Sequence, residues 1–180
     1  LAATGKMTYI LSVIEEAGFS VEIVSPAKTS NNKTYGAKTV DIGKQSKLVL
    51  FKTLPWGSKI QHVISLLFSK LQLILYILKH INKDDVLVAY HSIYYAKIIH
   101  FLKKIKKFKL ILEVEEIYFD VSQSKTEGKA ENTLFNDADT FIFPTEFLTE
   151  KVNKSNKPYT ISYGTYTVEH DRKCKFNDGK

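Results

Sequence analysis

A histidine and two carboxylates directly follow two apolar segments of this sequence. His91 comes directly after the run Val86–Tyr90. Glu115 and Glu116 come directly after the run Leu110–Val114. The apolar spacing between the two runs is typical of a helix, so the stretch is predicted to form a strand–helix–strand unit with a right-handed crossover. Ligands of open α/β sheets bind outside the carboxyl ends of the strands, so we expect these polar side chains at a ligand cleft.

The three side chains offer different chemistry. An imidazole titrates near neutral pH, so His91 is a candidate acid–base group or a ligand of a bound substrate, and a satisfied loop histidine is the alternative. Adjacent residues of a strand point to opposite sides, so at most one of Glu115 and Glu116 enters the cleft. We favour Glu116, which is followed closely by Tyr118. The alternative for Glu116 is a solvated strand end.

The segment Thr4-Gly5-Lys6, at the predicted start of the first helix, is a second candidate site. Free backbone N–H groups and the helix dipole attract phosphate at such a position, and glycine permits close approach. An ordinary helix start is equally compatible with one glycine. The sequence has no zinc-type spacing of Cys and His and no Asp-rich metal motif, so we expect neither a metal nor another cofactor.

Composition and charge restrict the class of protein. The 180 residues suit one domain, and 44% hydrophobic residues can fill its core. A net charge of +7 favours an anionic partner such as a nucleotide sugar or an acidic membrane surface. The lysines between Lys103 and Lys109 complement a helix C-terminus or meet an anionic membrane surface. No aromatic residues interleave with them as in single-strand binders, so nucleic acid is not expected. The single cysteine, Cys174, suits a reducing, cytoplasmic compartment.

Strand and helix patterns alternate along the chain, which predicts an α/β fold with one Rossmann-like parallel sheet and helices on both faces. The longest helix, Ser58–Ile81, is expected to be largely buried on that sheet, with an apolar face wide enough to meet a partner or a bilayer surface as well. Its polar stripe disfavours a transmembrane span. Residues 26–46 and Val121–Lys129 are predicted loops. The other predicted helices are Thr4–Ala17, Ala130–Asn136 and Thr145–Asn153, and the other predicted strands are Val21–Ser25, Leu48–Phe51, Thr140–Phe143 and Pro158–Ser162.

The order of these segments resembles the N-terminal domain of GT-B glycosyltransferases, in particular the retaining group 1 or family 4 type. Two segments of this chain, Ala3–Met7 and Glu16–Val24, together resemble the Gly-containing first loop, the first helix and the second strand of that family. Asp85–His91 resembles its "D-V-(hydrophobic)-x-x-H" strand, and Asp137–Glu146 its "A-D-x-(hydrophobic)-x-x-(S/T)-E" segment. Pro158–Gly164 resembles the "P-x-x-V-I-x-N-G" strand that ends the domain.

The resemblance implies a nucleotide-sugar donor and a sugar or lipid-linked acceptor, bound in a cleft between two domains. Thr4, Gly5 and Lys6 would approach the donor phosphates. His91, Glu116 and Tyr118 would contact the acceptor, with His91 and Glu116 as the catalytic candidates. A retaining enzyme need not have a carboxylate base, so Glu116 is assigned first to orientation and second to proton removal. Many relatives carry a histidine where this sequence has Glu115-Glu116.

The resemblance also implies a domain organisation and a biological role. Residues 1–166 would form the Rossmann-like domain without the family's first strand, and residues 167–180 a charged tail or a linker to an absent C-terminal domain. We therefore expect little turnover from this chain alone. The implied role is cell-surface polysaccharide or glycoconjugate synthesis, in the cytoplasm or at the inner membrane face. The alternatives are a non-catalytic α/β binding module, a membrane-surface interaction protein, or a sugar-nucleotide epimerase of the same fold.

Overall fold

A computed structural model of the chain describes residues 2–26, 35–42, 45–55 and 57–163, with side chains from Tyr9 onward. Gly164 and the expected tail 167–180 lie outside the described residues. The helices are α1 Ala2–Glu16, α2 Lys59–His80, α3 Ala96–Lys106, α4 Tyr118–Ser122, α5 Lys125–Asp137 and α6 Glu146–Val152. The strands are β1 Glu22–Ser25, β2 Lys38–Asp41, β3 Lys47–Leu50, β4 Val86–Tyr90, β5 Lys109–Glu113, β6 Thr140–Phe143 and β7 Tyr159–Ile161.

A parallel four-stranded sheet with the order β4-β5-β6-β7 forms the centre of the fold. Leu112 of β5 is in register with Ala89 of β4 and Phe141 of β6, and all three side chains are buried. Helices α2, α3, α5 and α6 contribute side chains to the same core. The prediction of an α/β fold with a parallel sheet flanked by helices is confirmed.

The first part of the chain forms a separate sheet with the order β1-β3-β2. β1 and β3 pair in parallel, whereas β2 and β3 pair in antiparallel orientation. The prediction of one wholly parallel sheet is therefore wrong for the described residues, as is the prediction that 26–46 is only a loop. β2 has a polar sequence and only Val40 is half-buried, so pairing with β3 rather than an apolar pattern defines this edge strand. Among the described residues, β1 and β4 each end their sheet with one unpaired edge.

The predicted long helix is present as α2, and a capping box begins it. Ser58 Oγ accepts from the Gln61 N–H at 3.2 Å, and Gln61 Oε1 accepts from the Ser58 N–H at 3.2 Å. The prediction that this helix is largely buried is wrong, because only Ser65 and Ile77 are buried. One face of α2 is joined to the rest of the chain through Ser69, Gln72 and Ile77, and the opposite apolar face is exposed. By length and composition alone, α2 is able to cross a membrane.

The predicted loop Val121–Lys129 is largely helical. α4 covers its first residues, and α5 begins at Lys125, five residues before the predicted start at Ala130. Ser124 is the N-cap of α5 and its Oγ accepts from the Glu127 N–H at 3.4 Å. Gly128 and the polar residues around it weaken the helical pattern in the sequence, whereas packing of α5 against α3 and α4 stabilises the helix.

The lysines at the end of α3 divide into two groups. Lys103 pairs with Asp139, and Lys106 Nζ donates to the Leu78 carbonyl of α2 at 2.9 Å. The Asp139 carboxylate also accepts from the Leu110 N–H at 2.7 Å. Burial raises the pKa of Asp139, but these hydrogen bonds outweigh it, so the pKa lies below its usual range. The side chains of Lys104, Lys107 and Lys109 are exposed.

Candidate acceptor site at the carboxyl edge of the parallel sheet

His91 lies at the carboxyl end of β4, as the sequence predicts. Its backbone N–H donates to the Glu113 carbonyl at 2.8 Å, which extends the ladder between β4 and β5 by one residue. The side chain of His91 is only 1% exposed. The imidazole is therefore enclosed by protein and does not line an open surface.

Three groups surround the His91 imidazole. Nδ1 lies 3.1 Å from the backbone carbonyl oxygen of Glu116. The ring centroid lies 5.0 Å from that of Tyr118 and 5.3 Å from that of Phe135. Tyr118 also donates its hydroxyl hydrogen to the His91 carbonyl at 3.3 Å. The structure thus brings His91, Glu116 and Tyr118 together, but His91 meets Glu116 through the backbone of that residue.

Burial keeps the imidazole neutral. Desolvation lowers the pKa of His91 from 6.5 to about 4, and the hydrogen bond to the Glu116 carbonyl opposes this shift. A carbonyl oxygen can only accept, so Nδ1 carries the hydrogen and Nε2 of the neutral ring has a free lone pair. That lone pair faces the carboxyl group of Glu131, whose Oε1 lies 3.4 Å away.

Glu131 is a site residue that sequence reasoning missed. Its side chain is 2% exposed, and its two oxygens accept from the backbone N–H groups of Tyr118 at 2.7 Å and Phe119 at 3.1 Å. Burial raises the pKa of Glu131, against the effect of these two donors. The His91 Nε2 lies within 3.4 Å of Oε1 without a hydrogen bond between them. Glu131 thus fixes the start of α4, where Tyr118 lies.

The sequence contains a signal for Glu131. It lies three residues after Gly128 and three before Leu134, and these three positions form the buried face of α5. A carboxylate in the buried stripe of a helix requires hydrogen-bond partners, which makes it a candidate for a structural or functional role.

Glu113 is a second buried carboxylate at this edge. It is the last residue of β5, and its side chain is 0% exposed. In the sequence it lies within the otherwise apolar run Leu110–Val114, where it is the one charged residue. One of the two inner strands of the parallel sheet therefore ends in a buried carboxyl group, three residues before Glu116.

The two glutamates after β5 differ in exposure. Glu115 is half-buried, whereas Glu116 is exposed. Tyr118 is half-buried. Burial has the largest effect on the pKa of its hydroxyl and the nearby Glu116 carboxylate has the next largest, and both raise that pKa. The favoured candidate, Glu116, is thus the carboxylate that solvent and ligands can reach, beside a tyrosine hydroxyl.

Thr4, Gly5 and Lys6 lie within the first two turns of α1, which begins at Ala2 rather than Thr4. Their position near a helix N-terminus agrees with the sequence prediction, and their binding of phosphate stays a prediction.

A cleft of about 350 Å³ lies between α4, α5 and α6, beside the candidate site. Its charged lining includes Asp120 and Glu131 on one side and Lys151 and Lys157 on the other. Asp120 and Lys151 neutralise each other across a distance of 3.0 Å. Within the described part of the chain, no group of three His, Cys, Asp or Glu side chains could hold a metal ion.

Comparison with solved structures identifies the class of fold. No family model and no curated protein matches the chain. A structure of apo OtsA superposes with a TM-score of 0.53 at 13% identity, over 84% of this chain and 44% of that chain. A trehalose-6-phosphate synthase, studied with bisubstrate glycomimetics of glycosyltransfer with retention, superposes with a TM-score of 0.52 at 14% identity, over 79% of this chain and 38% of that chain.

A third structure of this kind, from E. coli and bound with UDP-2-fluoro glucose, gives a TM-score of 0.51 at 14% identity, over 77% of this chain and 36% of that chain. The chain therefore has the α/β fold of GT-B glycosyltransferases. It spans less than half the length of the structures it resembles.

Proposed function

We propose that this chain is the N-terminal, acceptor-side domain of a retaining GT-B glycosyltransferase of the group 1 or family 4 type. The observation that carries the proposal is the arrangement at the carboxyl end of β5. The exposed Glu116 carboxylate and the Tyr118 hydroxyl lie together there, on a backbone held by His91 and Glu131. The carboxyl edge of the strands is where open α/β sheets bind ligands. The likeness to GT-B glycosyltransferases supports a glycosyltransferase-like function at a coarse level.

In this proposal Glu116 accepts a hydrogen bond from an acceptor hydroxyl and orients it, and proton removal is its second role. Tyr118 contacts the acceptor beside it. His91 acts on the acceptor by fixing the carbonyl of Glu116, because its own imidazole is buried. A fixed backbone at Glu116 restricts where its carboxylate can lie, and precise orientation removes part of the entropic cost of the reaction.

The donor side of the proposed site is the start of α1. Thr4, Gly5 and Lys6 would approach the donor diphosphate, where the helix dipole and the lysine charge stabilise the phosphate that leaves. We propose a nucleotide sugar as donor and a sugar or lipid-linked sugar as acceptor. The proposed context is cytoplasmic synthesis of cell-surface polysaccharide or glycoconjugates.

The proposal includes the organisation of the domain. Residues 1–166 would form the Rossmann-like unit, and 167–180 would link it to a donor-binding domain. A strand placed between the unpaired edges of β1 and β4 would join the two sheets into one, in the position of the family's first strand. This chain alone is then a binding unit with little turnover.

Calorimetric titration tests the proposal on the chain itself. The ligands are glucose, galactose, N-acetylglucosamine and trehalose 6-phosphate, each added to the parent chain and to its Glu116→Gln and Glu115→Gln variants. A hydrogen bond to a charged group is worth roughly 1.5–3 kcal/mol, so Glu116→Gln should weaken sugar binding about tenfold to a hundredfold. Glu115→Gln is the matched control and should bind as the parent does. Equal affinity of all three proteins, or no sugar binding by any of them, would refute the proposed site.

A further inference from the structure

An apolar stripe runs along the exposed face of α2. Its members recur every three or four residues, which places them on one side of the helix. Their side chains are between 39% and 74% exposed: Ile60, Ile64, Leu67, Leu71, Leu75 and Leu78. Isolated exposed apolar residues are ordinary, but a continuous row over about five helical turns marks an interaction surface.

The opposite face of α2 is fixed to the rest of the fold. Ser69 Oγ donates to the Pro26 carbonyl at 2.8 Å, after β1. Gln72 Nε2 donates to the Lys52 carbonyl at 2.9 Å, and the Lys52 N–H donates to Gln72 Oε1 at 3.1 Å. Ile77 lies in the core beside the parallel sheet. These contacts orient the helix, so the stripe must face outward.

The charged side chains of α2 and α3 themselves are all basic, whereas Asp84 and Asp85 lie in the turn after α2. Neither α2 nor α3 contains an Asp or Glu residue. α3 packs beside α2 and exposes Phe101 and Ile105 next to lysines. The exposed lysines of the two helices and the turn after α3 are Lys59, Lys79, Lys97, Lys104 and Lys107. The two helices that carry the exposed apolar side chains thus add only positive charge to this part of the surface.

We propose that the exposed face of α2, together with the lysines of α2 and α3, docks on an anionic lipid bilayer. The helix lies in the plane of the interface, with its leucines among the acyl chains and the lysines at the anionic headgroups, as in other basic amphipathic surface helices. The hydrogen bonds of Ser69 and Gln72 hold α2 beside the three-stranded sheet and disfavour a transmembrane span. A second copy of the chain would place lysines against lysines, which opposes self-association through this face. The proposal does not depend on glycosyl transfer.

Flotation with vesicles tests the proposal. One set contains phosphatidylcholine alone, and the other contains phosphatidylcholine mixed with phosphatidylglycerol. The chain should float with the anionic vesicles and much less with the neutral ones. Binding should fall as salt rises, because the screening length shrinks to about 8 Å near physiological ionic strength. Leu71→Gln with Leu75→Gln should reduce the partition coefficient by roughly tenfold or more, because two apolar side chains lose their burial in the acyl region.

Matched variants distinguish binding through this surface from nonspecific hydrophobic binding. Phe19→Gln with Phe147→Gln removes two exposed aromatic residues elsewhere and should leave binding unchanged. Lys97→Gln with Lys104→Gln should reduce binding by about thirtyfold at most, whereas Lys38→Gln with Lys129→Gln should have little effect. Circular dichroism and thermal melting confirm that each variant is folded, and Leu67→Gln replaces the double leucine variant if that variant is unstable.

Two results would overturn the proposal. One is vesicle binding that is absent, or that is equally strong in the leucine variant and its control. The other is a dimer in sedimentation analysis that the leucine substitutions dissolve, because it would assign the stripe to a second copy of the chain.

Discussion

His91 and Glu116 meet through a side chain and a backbone: the imidazole Nδ1 lies 3.1 Å from the Glu116 carbonyl oxygen, while the Glu116 carboxylate is exposed. The two residues follow neighbouring parallel strands and lie 25 positions apart in the sequence. One of them is therefore suited to fixing the loop, and the other to contacting a ligand. Substitutions at the two positions should have different effects on stability and on sugar binding.

The stability of the chain should depend on pH through His91. The folded protein keeps the imidazole neutral down to a pKa of about 4, whereas the unfolded chain protonates near 6.5. Acid therefore favours the unfolded state, and the stabilising effect of this low pKa is present above pH 6.5 and lost as pH falls towards 4. We expect the free energy of unfolding to fall by up to about 3 kcal/mol over this window.

Urea denaturation at a series of pH values measures this effect. His91→Asn should lower stability at neutral pH but should remove most of the decline between pH 6.5 and 4. Parallel pH curves for the parent and the variant would show that His91 is not the group responsible.

Glu131 should be needed for the position of α4. Glu131→Ala leaves the backbone N–H groups of Tyr118 and Phe119 without this partner, at a cost of roughly 2–5 kcal/mol in the free energy of unfolding. Glu127→Ala on the same helix is the control and should cost less, because Glu127 is only half-buried. Urea denaturation measures both variants. A Glu131→Ala variant as stable as the control would show that the buried carboxyl group does not hold α4.

Gly128 should be required for the contact between α5 and α4. A Cβ at this position would lie 2.7 Å from Phe119 Cδ2, too close for any real contact. Alanine is the better helix former by about 1 kcal/mol, yet overpacking costs typically 1–3 kcal/mol, so we expect Gly128→Ala to destabilise the chain by about 1 kcal/mol. Thermal melting should show the loss, and adding Phe119→Leu should restore part of it. A melting temperature that rises in Gly128→Ala would mean that α4 adjusts without cost.

Much of the fold could be predicted because the strands of the parallel sheet are short apolar runs. β4 and β6 begin and end where the pattern places them, at Val86–Tyr90 and Thr140–Phe143. The capping residues Ser58 and Thr145 mark the starts of α2 and α6. These features are local, so neighbouring residues in the sequence are enough to specify them.

The rest depends on contacts between distant residues. β2 is defined by its pairing with β3, and its own sequence resembles a polar loop. Whether the outer apolar face of α2 is exposed depends on what packs against it, and the spacing of apolar residues in the sequence does not show this. At the site, the sequence could place His91 at a strand end, but not show that its imidazole is buried between Tyr118 and Phe135. Glu131 reaches the site from α5, and Glu113 was hidden inside an apolar run.

The most direct test of the acceptor-site assignment is a map of amide chemical shifts during titration with trehalose 6-phosphate and with simple hexoses. The assignment predicts that the largest shifts fall on residues 91–92 and 115–118, at the carboxyl ends of β4 and β5, and that they disappear in Glu116→Gln but persist in Glu115→Gln. Shifts confined to the cleft between α5 and α6, or no shifts at all, would contradict an acceptor site at this edge of the sheet.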